Sequence, residues 1–171
     1  MEYRPTLLNS CALAATAGEA GFRINAPVDL RRVTRIVALD RPASEVVTSV
    51  ADGEWTGAHF LHIDPATSEV GDDEEGADLG LRASDGVETH LSAELADADS
   101  VVMVATSASS PSAVRTIGKA CALRGIMTAG VVFGEDAAVR DAVSLLRPYA
   151  RVLLVSRDDD DVADVLTALR A

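Results

Sequence analysis

Short apolar runs alternate with longer amphipathic stretches along most of the chain, and this alternation constrains the fold more than any other feature. Runs of this kind are typical of strands buried on both faces, and the amphipathic stretches have the period of helices. Strands are expected at residues 34–39, 57–64, 101–106, 127–133 and 151–156, with a short edge strand at 78–83. Helices are expected at residues 7–20, 43–54, 87–98, 112–124, 136–146 and 160–169.

This order of strands and helices predicts an α/β fold in which helices cover both faces of a sheet. Because crossovers between parallel strands are right-handed, we expect a doubly wound, mostly parallel, five- or six-stranded Rossmann-like sheet in a three-layer α/β/α sandwich. A length of 171 residues, 48% of them hydrophobic, suits one domain spanning residues 1–171. We expect its acidic loop, about residues 65–78, to be mobile, since charge repulsion and low hydrophobicity leave it little to bury.

The balance of charge excludes two classes of partner. The chain has 15 Lys and Arg residues against 27 Asp and Glu residues, a formal net charge of -12. A field of this sign repels nucleic acid and anionic membranes, so we expect neither as a partner. No apolar run reaches the roughly 18 residues that a membrane span needs. Cys11 and Cys121 lie far apart in apolar helical patterns typical of small buried thiols, so a reduced, cytoplasmic protein is expected.

The expected fold indicates where a ligand would bind. Doubly wound sheets bind ligands where the carboxyl ends of the strands open at the switch in strand order. This rule selects Asp40 and Arg41 after the first strand, Asp64 after the second, Glu135 after the fourth, and loop 106–110 after the central strand. A dinucleotide site also needs glycines in the first turn, whereas that turn reads LDRPASE. We therefore expect no NAD and no other cofactor.

The loop TSASSPSA, which follows the central strand, is the strongest candidate for an anion site. Thr106, Ser107, Ser109 and Ser110 offer hydroxyl and backbone N–H groups at the start of a helix, where the helix dipole favours negative charge. Serine before a proline at the first helical position is also ordinary N-capping chemistry. Both interpretations, a bound anion and a cap alone, stay open at this point.

The sequence gives little support for a metal site or for a catalytic nucleophile. His59 and His62 are three apart on an expected strand and therefore point to opposite faces, and His90 lies in an expected helix. Histidines scattered in this way do not form a ligand set, so no metal site is expected. The chain also lacks the G-x-S-x-G elbow of serine hydrolases, and no catalytic residue is assigned.

Four segments between residues 34 and 158 resemble, in the same order, the N-terminal nucleotide-binding domain of FtsZ, the tubulin-like division GTPase. GAHFLHID looks like that family's second strand, LADADSVVMVAT resembles ADMVFVTA, RGIMTAGVVF is similar to LGILTVGVVT, and LRPYARVLLVSRD is similar to LREHVDTLIVIPND. The resemblance implies the fold and leaves the strand order open between FtsZ-like and flavodoxin-like. The family's glycine-rich first loop is LDRPAS here and its GGGTGTG phosphate loop is SASSPSA. We therefore expect neither GTP hydrolysis nor tight GTP binding.

A second resemblance centres on VVMVATSASSPSAVRTIGKACALRG, which aligns without gaps to the sugar isomerase (SIS) pattern. An STSG-x-S loop binds a sugar phosphate in that family, so the resemblance implies Ser107, Ser109 and Ser110 as phosphate ligands. Ala108 stands where the family has glycine, and the earlier loop is again LDRPAS. Both resemblances direct an anion to the same loop.

These observations favour a non-catalytic binding or regulatory module that holds a small phosphorylated ligand at the loop after the central strand. One alternative is an enzyme of the phosphosugar isomerase type, for which Asp40, Asp64 and Glu135 are the candidate acids or bases. Another is a structural protein-interaction domain with an apolar patch on its N-terminal helix. The sequence is also compatible with a homo-oligomer, in which the partner is another copy of the chain.

Overall fold

The structure is a computed structural model that describes residues 32–63, 78–106, 110–134, 137–157 and 160–169. The strands within these residues are Thr34–Ala38 (β1), Ala58–Ile63 (β2), Gly80–Ala83 (β3), Glu88–His90 (β4), Ser100–Ala105 (β5), Met127–Phe133 (β6) and Val152–Ser156 (β7). The helices are Arg41–Ala51 (α1), Leu91–Glu94 (α2), Pro111–Arg124 (α3), Ala137–Leu146 (α4) and Asp160–Leu169 (α5). The predicted helix 7–20, and the acidic loop up to residue 77, lie outside the described residues.

The strands form one sheet in the order β4-β3-β2-β1-β5-β6-β7. β1, β2, β5, β6 and β7 run parallel, whereas β3 is antiparallel to β2, and β4 is antiparallel to β3. The parallel part therefore has the flavodoxin-like order, in which the direction of winding reverses between β1 and β5. The predicted doubly wound, mostly parallel fold is confirmed, and the described sheet has seven strands where five or six were expected.

Helices cover both faces of the sheet, which gives the predicted three-layer sandwich. On one face, α2, α3 and α4 pack against Val101 and Met103 of β5 to form the first core. On the other face, α1 and α5 pack against Val102 and Val104 to form the second core. All six residues of β5 are buried, because alternate side chains enter the two cores.

The predicted helix at 87–98 is wrong. Residues 88–90 form strand β4, and only Leu91–Glu94 are helical. The spacing that favoured a helix was that of Val87, Leu91 and Leu95, which lie four residues apart. Leu91 and Leu95 are buried in the first core, but Val87 is exposed. The two leucines therefore hold a single helical turn against the core. Because Val87 is exposed, the three residues do not form the buried face of a longer helix.

A tight turn before β4 explains why the chain adopts a hairpin here. The N–H of Ala83 donates to the carbonyl of Val87 at 2.8 Å, and Gly86 has a φ of 89°. Asp85 accepts a bond from the N–H of Val87. The dipeptide Asp85–Gly86 is a strong hairpin signal, since glycine adopts positive φ without a steric penalty. The other predicted strands and helices in the described part are present, with ends that differ by up to three residues.

Candidate functional site

A cleft of about 660 Å3 opens at the carboxyl ends of β1 and β2, beside the reversal of winding between β1 and β5. Doubly wound sheets bind their ligands at this position. The volume is within the range of small-molecule sites in proteins. The lining residues are Ala38, Leu39, Asp40, Arg41, Pro42, Ser44, Thr48, His62, Ile63, Arg82 and Ser110.

Asp40 joins the two loops that meet at this cleft. Its Oδ1 accepts a hydrogen bond from the N–H of Ala43 at 2.9 Å and so caps the start of α1. Its Oδ2 accepts a hydrogen bond from the N–H of Thr106, 2.7 Å away, in the loop that follows β5. Both carboxylate oxygens therefore serve the backbone, and Asp40 fixes the first loop against the candidate loop.

The start of α3 bears on the choice between a cap and a bound anion. Ser110 occupies the N-cap position in an extended conformation, but its side chain makes no capping bond to the first turn. Its hydroxyl instead lies 2.9 Å from the hydroxyl of Ser112. The side chain of Ser110 is therefore not a cap for α3, and the dipole of a helix start favours negative charge.

Two arginines bring positive charge to the cleft in an otherwise acidic chain. Arg41, the first residue of α1, is exposed. Arg82 comes from β3, where its Nη2 donates to Oε1 of Glu88 at 3.1 Å. Both members of that pair are exposed, and exposed ion pairs are weak enough for an anion to compete for the guanidinium. Guanidinium groups bind phosphate oxygens through a forked pair of hydrogen bonds.

His62 lies opposite Arg82 in the antiparallel register of β2 and β3, and it lines the same cleft. Burial lowers the pKa of His62, so the ring is neutral at pH 7. Its Nε2 lies 3.2 Å from the hydroxyl of Ser84, which donates to the carbonyl of Phe60 at 3.4 Å. The buried Nδ1 has no hydrogen-bond partner among the described residues.

The structure brings Asp40, Arg41 and Ser110, which sequence reasoning selected, to one cleft, and Asp40 holds Thr106 beside them. The other predicted site residues lie outside the described residues: Ser107, Ser109, Asp64 and Glu135.

Sequence reasoning missed four polar residues that line the cleft. Ser44 and Thr48 are four apart on α1 and so share one face, a spacing that could have identified them once the helix was placed. His62 and Arg82 meet only because β3 pairs antiparallel with β2. Nothing in the local sequence around Arg82 signals that pairing.

A second group of polar side chains, the Arg35–Glu94 cluster, lies on the first-core face near the amino ends of β1 and β2. Its members are Arg35, His59, Thr89, Glu94 and Asp97. Oε2 of Glu94 lies 2.8 Å from both Nε of Arg35 and Nδ1 of His59, and Thr89 donates to Oε1 at 2.9 Å. The Nε–H of Arg35 does not point at the carboxylate, so that contact is an ion pair and not a directed hydrogen bond. Asp97 accepts from Nη2 of Arg35 at 2.6 Å.

The Arg35–Glu94 cluster keeps Glu94 ionised and ties the edge of the sheet to its centre. Burial acts to raise the pKa of Glu94, but hydrogen bonds from His59 and Thr89 and the charges of His59 and Arg35 outweigh it, and the pKa falls below its ordinary value. His59 reaches this cluster whereas His62 reaches the cleft, so the prediction that they point to opposite faces is confirmed.

Other chemistry in the described part is limited. Cys121 is buried in the first core, as predicted, and burial raises the pKa of its thiol to about 11. Such a thiol is unreactive at neutral pH. Within the described ranges, no group of three or more His, Cys, Asp or Glu side chains is placed to hold a metal ion. No helix in those ranges is both long and apolar enough to cross a membrane.

No protein-family model matches the chain, and a search of curated proteins returned no significant match.

Proposed function

We propose that the protein is a non-catalytic binding or regulatory module whose cleft holds a small phosphorylated ligand. One observation carries this proposal: Arg41, Arg82 and Ser110, from three different elements, line a single cleft at the switch in strand order. The resemblances to the FtsZ nucleotide-binding domain and to the SIS phosphosugar-binding domain support the same class of ligand.

The chemistry of the cleft suits a phosphate at one end and a polar body beside it. The start of α3 and the guanidinium groups of Arg41 and Arg82 attract the anion. The hydroxyl groups of Ser44 and Thr48 can bond to the hydroxyl groups of a sugar or polyol. Leu39 and Ile63 form an apolar part of the cleft wall. A volume of about 660 Å3 accommodates a molecule of sugar-phosphate or mononucleotide size.

The described lining residues favour binding over catalysis. Asp40 uses both carboxylate oxygens to hold backbone N–H groups, which is a structural task. His62 is neutral, with its Nε2 directed to Ser84 and its Nδ1 enclosed. A general acid or base needs hydrogen-bond reach to the reacting group and a proton to exchange with it. In this arrangement Asp40 is held by two backbone N–H groups and His62 by Ser84, which supports a binding role.

A thermal-shift screen of sugar phosphates, mononucleotides and inorganic phosphate tests the proposal. A ligand at about one hundred times its dissociation constant stabilises the folded state by about 2.7 kcal/mol, which such a screen resolves readily. We expect at least one phosphorylated compound to raise the melting temperature. Arg82→Ala and Ser110→Glu should each abolish most of the shift, because the first removes a cation and the second adds a negative charge at the start of α3. Arg147→Ala, at an exposed arginine after α4, is the matched control.

Two results would contradict the proposal. A compound that stabilises the Arg82→Ala and Ser110→Glu variants as much as the original protein binds elsewhere. Turnover of a sugar phosphate by the protein would instead support the alternative of a phosphosugar isomerase.

Calorimetric titration with GTP tests a separate prediction. We expect no tight binding of GTP, since both glycine loops of the FtsZ family are replaced in this chain.

A further inference from the structure

Arg82 stands in a row of three side chains that crosses the strands β2, β3 and β4. The register places it opposite His62 of β2 on one side and opposite Glu88 of β4 on the other. Side chains that face each other across paired strands project from the same face of a sheet. His62 and Arg82 line the cleft, whereas Glu88 lies on the edge strand. Arg82 therefore stands between the cleft and a carboxylate.

The bond between Arg82 and Glu88 is directed away from the cleft. Nη2 of Arg82 donates to Oε1 of Glu88 at 3.1 Å, and the order of the strands puts β4 on the far side of β3 from β2. Ser110, at the start of α3, follows β5, which lies on the other side, beyond β2 and β1. The contact with Glu88 thus draws the guanidinium towards the edge of the sheet and away from an anion at the start of α3.

The contact between Arg82 and Glu88 is one that an anion can replace. The side chains are 48% and 73% exposed, and pairs this exposed contribute little stability. Arg35 shows the contrasting case, since it is buried and held within 2.8 Å of Glu94 and 2.6 Å of Asp97, as suits a structural arginine. A phosphate offers a guanidinium two negative charges and a forked pair of hydrogen bonds. Arg82 is therefore available to a ligand at the expense of its bond to Glu88.

We propose that Glu88 is an internal competitor of the ligand: its carboxylate holds Arg82 until the phosphate of the ligand displaces it. This inference rests on the proposed function, since it concerns the regulation of the same cleft. The apparent affinity is reduced in proportion to the fraction of molecules in which Glu88 holds Arg82. The charge of Glu88 also repels a nearby anion. Glu88 thus lowers the affinity below the value that the cations of the cleft alone would give, and it recaptures Arg82 when the ligand leaves.

Calorimetric titration with sulfate, at a constant ionic strength of about 0.15 M, tests this competition. We expect Glu88→Gln to lower the dissociation constant of sulfate about two- to fivefold, which is the scale of an exposed ion pair. Glu45→Gln is the matched control, because it removes the same charge from an exposed position on α1 beside Ser44, and it should leave the constant nearly unchanged. The double variant Arg82→Ala/Glu88→Gln should bind sulfate no more tightly than Arg82→Ala alone.

A crystal structure with sulfate gives a second, direct readout, in which we expect Arg82 to contact the sulfate and to have left Glu88. If sulfate binds in the cleft while the Arg82–Glu88 bond stays intact, the competition is disproved and the proposed anion site stands. The same conclusion follows if Glu88→Gln leaves the dissociation constant unchanged or raises it, or if its gain is as large without Arg82 as with it. If sulfate binds neither the original protein nor Glu88→Gln, the competition and the proposed function are both overturned.

Discussion

Asp40 shows how one side chain can fix the relative position of two loops at the edge of a cleft. Its two oxygens hold the N–H groups of Ala43 and Thr106, one at the start of α1 and one in the loop after β5. We expect Asp40→Ala to lower the free energy of unfolding by about 1 to 3 kcal/mol, since a helix cap and a second backbone bond are lost together. Urea denaturation measures the change.

The matched control for Asp40 is Glu54→Ala, which removes an exposed acid. That substitution should change the free energy of unfolding by less than about 0.5 kcal/mol. If the two variants were equally stable, the Asp40 bonds would contribute nothing to the fold. The Asp40 variant should also lose ligand-induced stabilisation, because the loop that follows β5 is no longer held against the first loop.

Glu94 yields a prediction with a defined pH dependence. Its pKa is lower in the folded state than its ordinary value, so its ionised form stabilises the fold at pH values above the ordinary glutamate pKa of about 4.3. This stabilisation is lost as the pH falls through the lowered pKa. Glu94→Gln leaves the buried Arg35 without this carboxylate, and we expect a loss of about 2 to 4 kcal/mol at pH 7.

Urea denaturation at several pH values checks the Glu94 prediction. The difference between the original protein and Glu94→Gln should be constant near neutral pH and should shrink on acidification below the ordinary glutamate pKa. Glu88→Gln is the control, because the ion pair between Glu88 and Arg82 is exposed and its loss should cost little stability at any pH. A difference that grew on acidification would contradict the assigned direction of the Glu94 pKa.

At the scale of elements, the contact between α3 and the turn after α4 depends on one glycine. A Cβ on Gly118 would overlap the ring of Tyr149, which packs against the first core. We expect Gly118→Ala to destabilise the protein by about 1 to 3 kcal/mol, although alanine is the better helix former. The measurement is a double-mutant cycle with Tyr149→Ala.

In that cycle, Gly118→Ala should cost much less when Tyr149 is already alanine, with a coupling energy above about 0.5 kcal/mol. Equal costs in the two backgrounds would mean that the strain arises elsewhere in α3. A stabilising Gly118→Ala would mean that the ring of Tyr149 moves aside freely.

The elements differ in how well the sequence predicts them, and the reason is physical. β5 and β6 are buried on both faces, so each appears as an apolar run between turns. β4 is a three-residue edge strand whose side chains are mostly exposed, and it leaves no periodic signal. The Asp85–Gly86 turn was the available signal for it. The apolar spacing of Val87, Leu91 and Leu95 concealed it.

The candidate site was predictable only in part, for a related reason. The rule about strand ends depends on topology alone, and it found Asp40, Arg41 and Ser110. The contribution of Arg82 depends on the register between β2 and β3, which places it opposite His62. Register is set by side-chain packing across strands, which is not readable from one segment at a time.

For the molecule as a whole, a formal net charge of -12 should make stability depend on salt. Folding concentrates this charge, and the resulting self-repulsion favours the expanded, unfolded chain. Raising KCl from about 0.02 M to about 0.5 M shortens the screening length from about 20 Å to about 4 Å. Salt also weakens attractive ion pairs, but this opposing effect should be small here. The Arg35–Glu94 pair is buried and so is screened little by salt, and the Arg82–Glu88 pair is exposed and so contributes little stability to lose. We therefore expect the urea midpoint to rise steadily with KCl.

Sulfate separates this general screening from an anion bound in the cleft. At equal ionic strength, sulfate that binds beside Ser110 should add stabilisation that rises steeply near its dissociation constant and only logarithmically above it, and Ser110→Glu should remove this contribution. Sulfate that acts only by exclusion from the protein surface adds stabilisation that rises roughly in proportion to its concentration, and the variant keeps it. A urea midpoint that falls as KCl rises would contradict the prediction about net charge, because it would mean that attractive surface pairs outweigh the repulsion among the excess acids.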